Sequence, residues 1–446
     1  MKPKHVKLNR IVVLGSLLLA ACSAAGNSTA TSAPAEASGA RCGQNAPACN
    51  VVWGYAGNSV ATGWTGATVG GGGEPGASNQ INGDFGTVGG GRSNVAGAGA
   101  TVGGGAQNSA PYFHATVAGG ASNSAEAQEA TVGGGFKNTA SERFATVGGG
   151  ALNLASDWNT TVAGGSGNAA SFTFATVGGG TQNIANSTAS VVSGGDHNLA
   201  QGAFSSILGG LNNNADGYLA TIGGGAGNEA GGSYATAPGG FANSAAGAYS
   251  FAAGRKAEVN ADHPGTFLFA DSNVPAFLSV APDEFAVRAT GGVRLVTGID
   301  SSGATTSGVR LTAGSGTWET LSDRSAKAGF APVDEGQILG RLMQVPIESW
   351  YYRSQDPSIR HIGPTAQDFS AAFNVGEDPH YISTVDADGV ALASIQQLYR
   401  ILQTTTPSVA QQRIDDLERR LILSDVLAAI SLLVASASLW RRSRAL

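Results

Sequence analysis

The stretch Leu321-Ser322-Asp323-Arg324-Ser325-Ala326-Lys327 carries a hydroxyl and an amine five positions apart. A serine hydroxyl is a weak nucleophile at neutral pH and needs a partner to take its proton. No histidine lies between His263 and His361 to do so. A lysine can serve if it is desolvated, because burial disfavours the ammonium form. Lys327 is flanked by Ala326, Ala328 and Gly329, small residues that would let it be covered. Two readings of the pair are open: a serine capping a turn beside a solvated lysine, or an attack by Ser322 on the carbonyl of its own preceding residue. That N-to-O acyl shift would leave an ester for water to open, cutting the chain between Leu321 and Ser322.

Two further segments follow in order. They are His361-Ile362-Gly363-Pro364-Thr365-Ala366-Gln367-Asp368, and Tyr381 to Asp386 running into a helix with Leu392 and Ile395. Together with the Ser322–Lys327 stretch, this region resembles the intramolecular chaperone auto-processing domain at the carboxyl end of phage endosialidases and tailspikes. The membrane-bound myelin regulatory factors carry a similar domain. The resemblance implies a catalytic dyad of Ser322 and Lys327, cleavage just before Ser322, and a single-turnover serine autopeptidase without cofactor or metal. His361 has two readings, as a group orienting the dyad or as a structural residue, and Gln367 and Asp368 are open in the same way. Within this domain, residues 338–343 suggest a short helix and residues 347–352 a strand.

The elements that would present this site begin with a targeting segment, residues 1–22. Lys2, Lys4, Lys7 and Arg10 precede an apolar run too short to span a membrane. The run ends in Leu19-Ala20-Ala21-Cys22, which resembles a bacterial lipobox with Cys22 as the lipidated residue. Residues 23–60 read as a flexible tether. Cys42 and Cys49 within it are expected to form a disulfide in an oxidising compartment. Only 13% of residues are charged while 67 are glycine, about twice the usual share, which points to a repetitive β structure. The net charge of −6 argues against a nucleic-acid surface.

Self-similarity organises residues 61–272. Asn94, Asn108, Asn123, Asn138 and their successors to Asn243 recur every 14 or 15 positions. Six positions before each stands a branched apolar residue, from Val88 to Ile222, with Ala237 in the last repeat. Fifteen residues suffice for one solenoid coil of two short strands, and Val and Thr suit them. The glycines would serve tight reversals, and the asparagines either left-handed turns or a hydrogen-bonded ladder. Inward side chains this small make a thin core, which favours three rods side by side. The repeat resembles the head of trimeric autotransporter adhesins of the YadA type. Tyr112, Phe113, Phe144, Trp158, Phe172, Phe174 and Tyr218 fall between the repeat positions, either as outward patches or as contacts between subunits.

Residues 273–320 alternate like a β neck, and residues 321–403 form the chaperone domain. Leu392, Ile395, Tyr399 and Leu402 make a coiled-coil seam, which Ile414, Leu417 and Leu421 resume across 408–423 after a break at Thr404 to Pro407. Residues 424–440 read as a transmembrane helix, with Arg441, Arg442 and Arg444 placing its end in the cytoplasm. The fold class expected is mostly β: a parallel solenoid, then a small α+β domain and a terminal helix. The function expected is a homotrimeric surface fibre of the bacterial envelope that cuts itself from its chaperone. Its amino fragment would be outer-membrane lipoprotein and its carboxyl fragment would stay in the inner membrane. The alternatives are an adhesin with a non-cleaving trimerisation clamp and a signal-peptidase-like enzyme acting on external peptides.

Overall fold

The computed structural model describes residues 39–41 and 48–443, so Cys22 and Cys42 lie outside the described residues. It divides into two compact units, Met1–Ala289 and Thr290–Leu446.

The first unit is a parallel β-solenoid of about sixteen turns. Each regular coil has two two-residue strands, such as Thr146–Val147 and Leu154–Ala155. The strands stack in parallel on the next coil, Val147 opposite Val162 and Ala155 opposite Ala170. Inside sit one valine or isoleucine, small alanines and one asparagine per coil, all essentially inaccessible to solvent. The glycine turn is a close approach: Gly150 has φ +89°, and a Cβ there would lie 2.1 Å from the carbonyl oxygen of Gly165. A side chain at that position would force neighbouring coils apart.

The asparagines form a ladder. Asn153 Nδ2 donates to Gly149 O at 2.8 Å and to Gly165 O of the next coil at 2.9 Å, while its Oδ1 accepts from Asn168 N at 3.0 Å. The ladder runs from Asn58 to Asn243, where Asn243 Oδ1 accepts from Ala257 N. Asn58 and Asn79 belong to it although the irregular insert around Pro75 hides their spacing. From Asn94 to Asn243 a left-handed residue stands before each rung, such as Leu152 at φ 60°. Parallel stacking also continues to Phe285–Arg288, so the first part of the expected neck is solenoid.

The second unit opens with an antiparallel three-stranded sheet, Gly292–Ile299, Thr305–Thr312 and Trp318–Thr320. Helices α1 (Glu335–Leu342) and α2 (Ala366–Phe373) and a two-stranded ribbon, Glu348–Trp350 with His361–Gly363, follow. Helix α3 runs unbroken over Thr384–Ser443. The seam's interruption at Thr404 to Pro407 therefore lies within one continuous helix. Val345, Phe369, Phe373 and Val390 make a small core between these helices. Among the described residues one helix, over Thr384–Leu439, is long and apolar enough to cross a membrane.

Replacing Asn153 by Ala removes two donors and one acceptor from a dry interior, leaving partners unsatisfied. The expected cost is about 3 kcal/mol, seen as faster amide exchange in the coils around Gly149 and Gly165. Exposed Asn186→Ala, by contrast, is expected to change stability by no more than about 0.5 kcal/mol.

Candidate active site

The strand Trp318–Thr320 delivers the chain to the site. Beyond its end the pairing continues by one bond, Leu321 N donating to Gly308 O at 3.0 Å. The chain then turns. Asp323 is extended (φ −66°, ψ 138°) and caps a single 3₁₀ turn, Arg324–Ala326, by accepting from Ser325 N at 2.6 Å. Asp followed two residues later by Ser is a local signal for such a cap. The turn closes with Lys327 N donating to Arg324 O.

That reversal brings Lys327 back to Ser322, and Lys327 Nζ donates to Ser322 Oγ at 2.6 Å. The hydroxyl and the amine read from the sequence as a dyad are therefore in direct contact. The expected cover over Lys327 is not supplied by its own chain: residues 321–333 are all exposed. The reason is local. This segment contains one short turn and irregular chain, and none of its side chains joins the small core. Arg324 lies over the ring of Phe330 at 4.3 Å, itself exposed.

A cavity of about 420 Å³ adjoins the serine, with Arg294, Arg310, Glu319, Leu321, Ser322 and Asp323 in its lining. Arg310 Nε donates to Glu319 Oε2 at 2.6 Å. This bond, with a second from Thr312, holds the Glu319 carboxyl below its ordinary range. The hydrogen bonds from the Ser325 hydroxyl and amide do the same for Asp323.

His361 and Gln367 are not brought to the dyad. His361 stacks on Trp350 at 4.8 Å, meets Tyr352 edge-on, and shares a 2.9 Å contact between Nε2 and Gln355 Oε1. Gln367 is exposed on the first turn of α2. The segment from His361 to Asp368 is a strand followed by a capped helix. Thr365 is the N-cap, its hydroxyl accepting from Asp368 N and donating to Asp368 Oδ2 at 2.6 Å. Sequence reasoning missed that cap and the Leu321–Gly308 pairing. The first is written as Thr-x-x-Asp; the second joins residues thirteen positions apart on neighbouring strands and leaves no local pattern. Cys49 is disulfide-bonded, while its expected partner Cys42 falls outside the described residues.

Because Asp323 is depressed in the folded chain, its capping contribution is complete above the unfolded carboxylate range. It is lost only as pH falls through the lower folded value. The amide resonance of Ser325 is expected to titrate below the ordinary aspartate midpoint, and Asp323→Ala to abolish that titration.

A family model described as chaperone of endosialidase, a peptidase family, matches residues 322–375, and its match begins at Ser322. No curated protein sequence matches the chain. Residues 322–375 thus constitute a chaperone of endosialidase domain that follows a parallel β-solenoid.

Proposed function

We propose that three copies of this chain assemble through the carboxyl domain, and that each then cuts itself between Leu321 and Ser322. The observation that carries this reading is the 2.6 Å contact of Lys327 Nζ with Ser322 Oγ at the first residue of the family match.

In the step proposed, neutral Lys327 takes the hydroxyl proton as Ser322 Oγ bonds to the Leu321 carbonyl carbon. The bond from that carbon to Ser322 N then breaks, and the nitrogen receives the proton from Lys327. The product is a Leu321 ester on Oγ beside a free amine. Water opens the ester, giving a carboxylate at Leu321 and restoring the Ser322 hydroxyl. The lysine must be neutral for the first transfer, and desolvation favours that form. A trimer would supply the cover that one chain lacks, so that cutting follows assembly.

Assembly itself is supported by exposed apolar surface. Leu392, Ile395, Tyr399 and Leu402 are each more than half exposed along α3, a seam suited to identical helices. The solenoid, similar in period to YadA-type heads, would form the fibre, tethered through lipid on Cys22 with Cys42 and Cys49 joined. The apolar end of α3 would hold the chaperone fragment in the inner membrane of a bacterial envelope. Cleavage would free the fibre for the outer surface. The exposure of Lys327 in one chain favours a second reading, a surface adhesin whose carboxyl domain clamps the trimer without cutting.

These readings separate in cells expressing the full chain. Self-cleavage requires a fragment beginning at Ser322, its loss in Ser322→Ala, and its loss in Lys327→Arg, whose guanidinium stays charged. A shortened Ser322→Ala chain on a denaturing gel would refute the mechanism, and an uncut wild-type trimer would favour the clamp.

A further inference from the structure

The bond to be cut is tethered on both sides. On its amino side Leu321 N donates to Gly308 O at 3.0 Å, one step past the register Val309 opposite Thr320. On its carboxyl side Ser322 Oγ is bound to Lys327, and Asp323 is locked into the cap of the next turn. Between these tethers, Ser322 φ and χ1 decide how close Oγ comes to the Leu321 carbonyl carbon, and the hold on Leu321 N fixes the orientation of the peptide plane that carries that carbon. Fixing one end on a sheet and the other on a turn narrows those rotations.

Gly308 is placed for this by its backbone. Its φ is +150°, a region that side-chain-bearing residues rarely adopt. A Cβ there would lie 2.4 Å from Leu295 O and 3.1 Å from Val296 Cα. The neighbouring strand is irregular at this level, with register shifts between Val296 and Gly298 and between Gly298 and Ile299. The bare glycine lets the hairpin stay closed there while presenting its carbonyl to Leu321.

We propose that Gly308 is a positioning residue for self-cleavage: its carbonyl, by accepting from Leu321 N–H, holds the scissile peptide within reach of Ser322. The proposal rests on the self-cleavage reading above. It adds a consequence for the product. Gly308 and Leu321 both remain on the amino fragment, whereas Lys327 departs with the other, so the new end at Leu321 stays paired to the hairpin after the base has gone.

The test uses the full chain, with trimer content measured alongside the rate at which the Ser322 fragment appears. Gly308→Ala disturbs the acceptor and Leu321→Pro removes the donor; each is expected to slow cutting about a hundredfold in assembled trimer, the scale of an ångström-sized misplacement. Combining them is expected to slow cutting no more than either alone, since both break one bond. Gly316→Ala, in the turn before the third strand, where φ is not positive and an added Cβ would meet nothing, is the control expected to cut normally. If Gly308→Ala fails to assemble, Leu321→Pro, which lies beyond the last strand, decides the matter. Normal cutting by trimeric Leu321→Pro, or losses that multiply in the double variant, would overturn the clamp while leaving self-cleavage intact. Cutting by Ser322→Ala would instead remove the reaction on which it rests.

Discussion

A lysine amine accepts a proton only in its neutral form, with a free lone pair, so the contact of Lys327 with Ser322 has different meanings in water and out of it. Exposed to water, the contact is a surface hydrogen bond of little consequence. In the proposed reaction, covering would make the same pair base and nucleophile. The 2.6 Å separation is already built by one chain, through a capped turn that folds five residues back on themselves. What one chain does not build is the cover. Under the proposed function a neighbouring chain would have to supply it, and cutting would wait for assembly.

The solenoid shows why such a delay would be useful. Its interior is filled by alanine, valine and a file of asparagines, so each coil buries little apolar surface. Cohesion comes from the parallel stacking and from amide side chains that each satisfy carbonyls of two coils. Parallel pairing between coils is non-local and slow to form, and incomplete coils expose unpaired edges. A carboxyl domain that gathers chains before release would protect that interval. The small core of Val345, Phe369, Phe373 and Val390 is consistent with a domain completed by its neighbours.

Much of this was legible in the residues, for identifiable reasons. The recurrence of asparagine and valine gives the solenoid because one coil equals one repeat, and Ser322 and Lys327 were legible because a single turn brings them together. Other features resist reading. The spacing of the asparagines is compatible with turn or ladder, and only the stacking shows that the residue before each takes the left-handed turn. The apolar seam pauses at Thr404 to Pro407, yet α3 runs on across that stretch. The residues around His361 left it open between orienting the dyad and a structural role, and it is the packing of Trp350, Tyr352 and Gln355 on its ring that shows where it sits. The role of Gly308 depends on a non-local approach between strands, which no pattern near it records.

Mass spectrometry of trimer and monomer fractions separated from one preparation of the full chain tests the link between assembly and chemistry most directly. The trimer is expected to hold two pieces, one ending at Leu321 and one starting at Ser322, and the monomer an intact chain. An intact polypeptide throughout the trimer, or cut chains accumulating as monomers that have never associated, would contradict it.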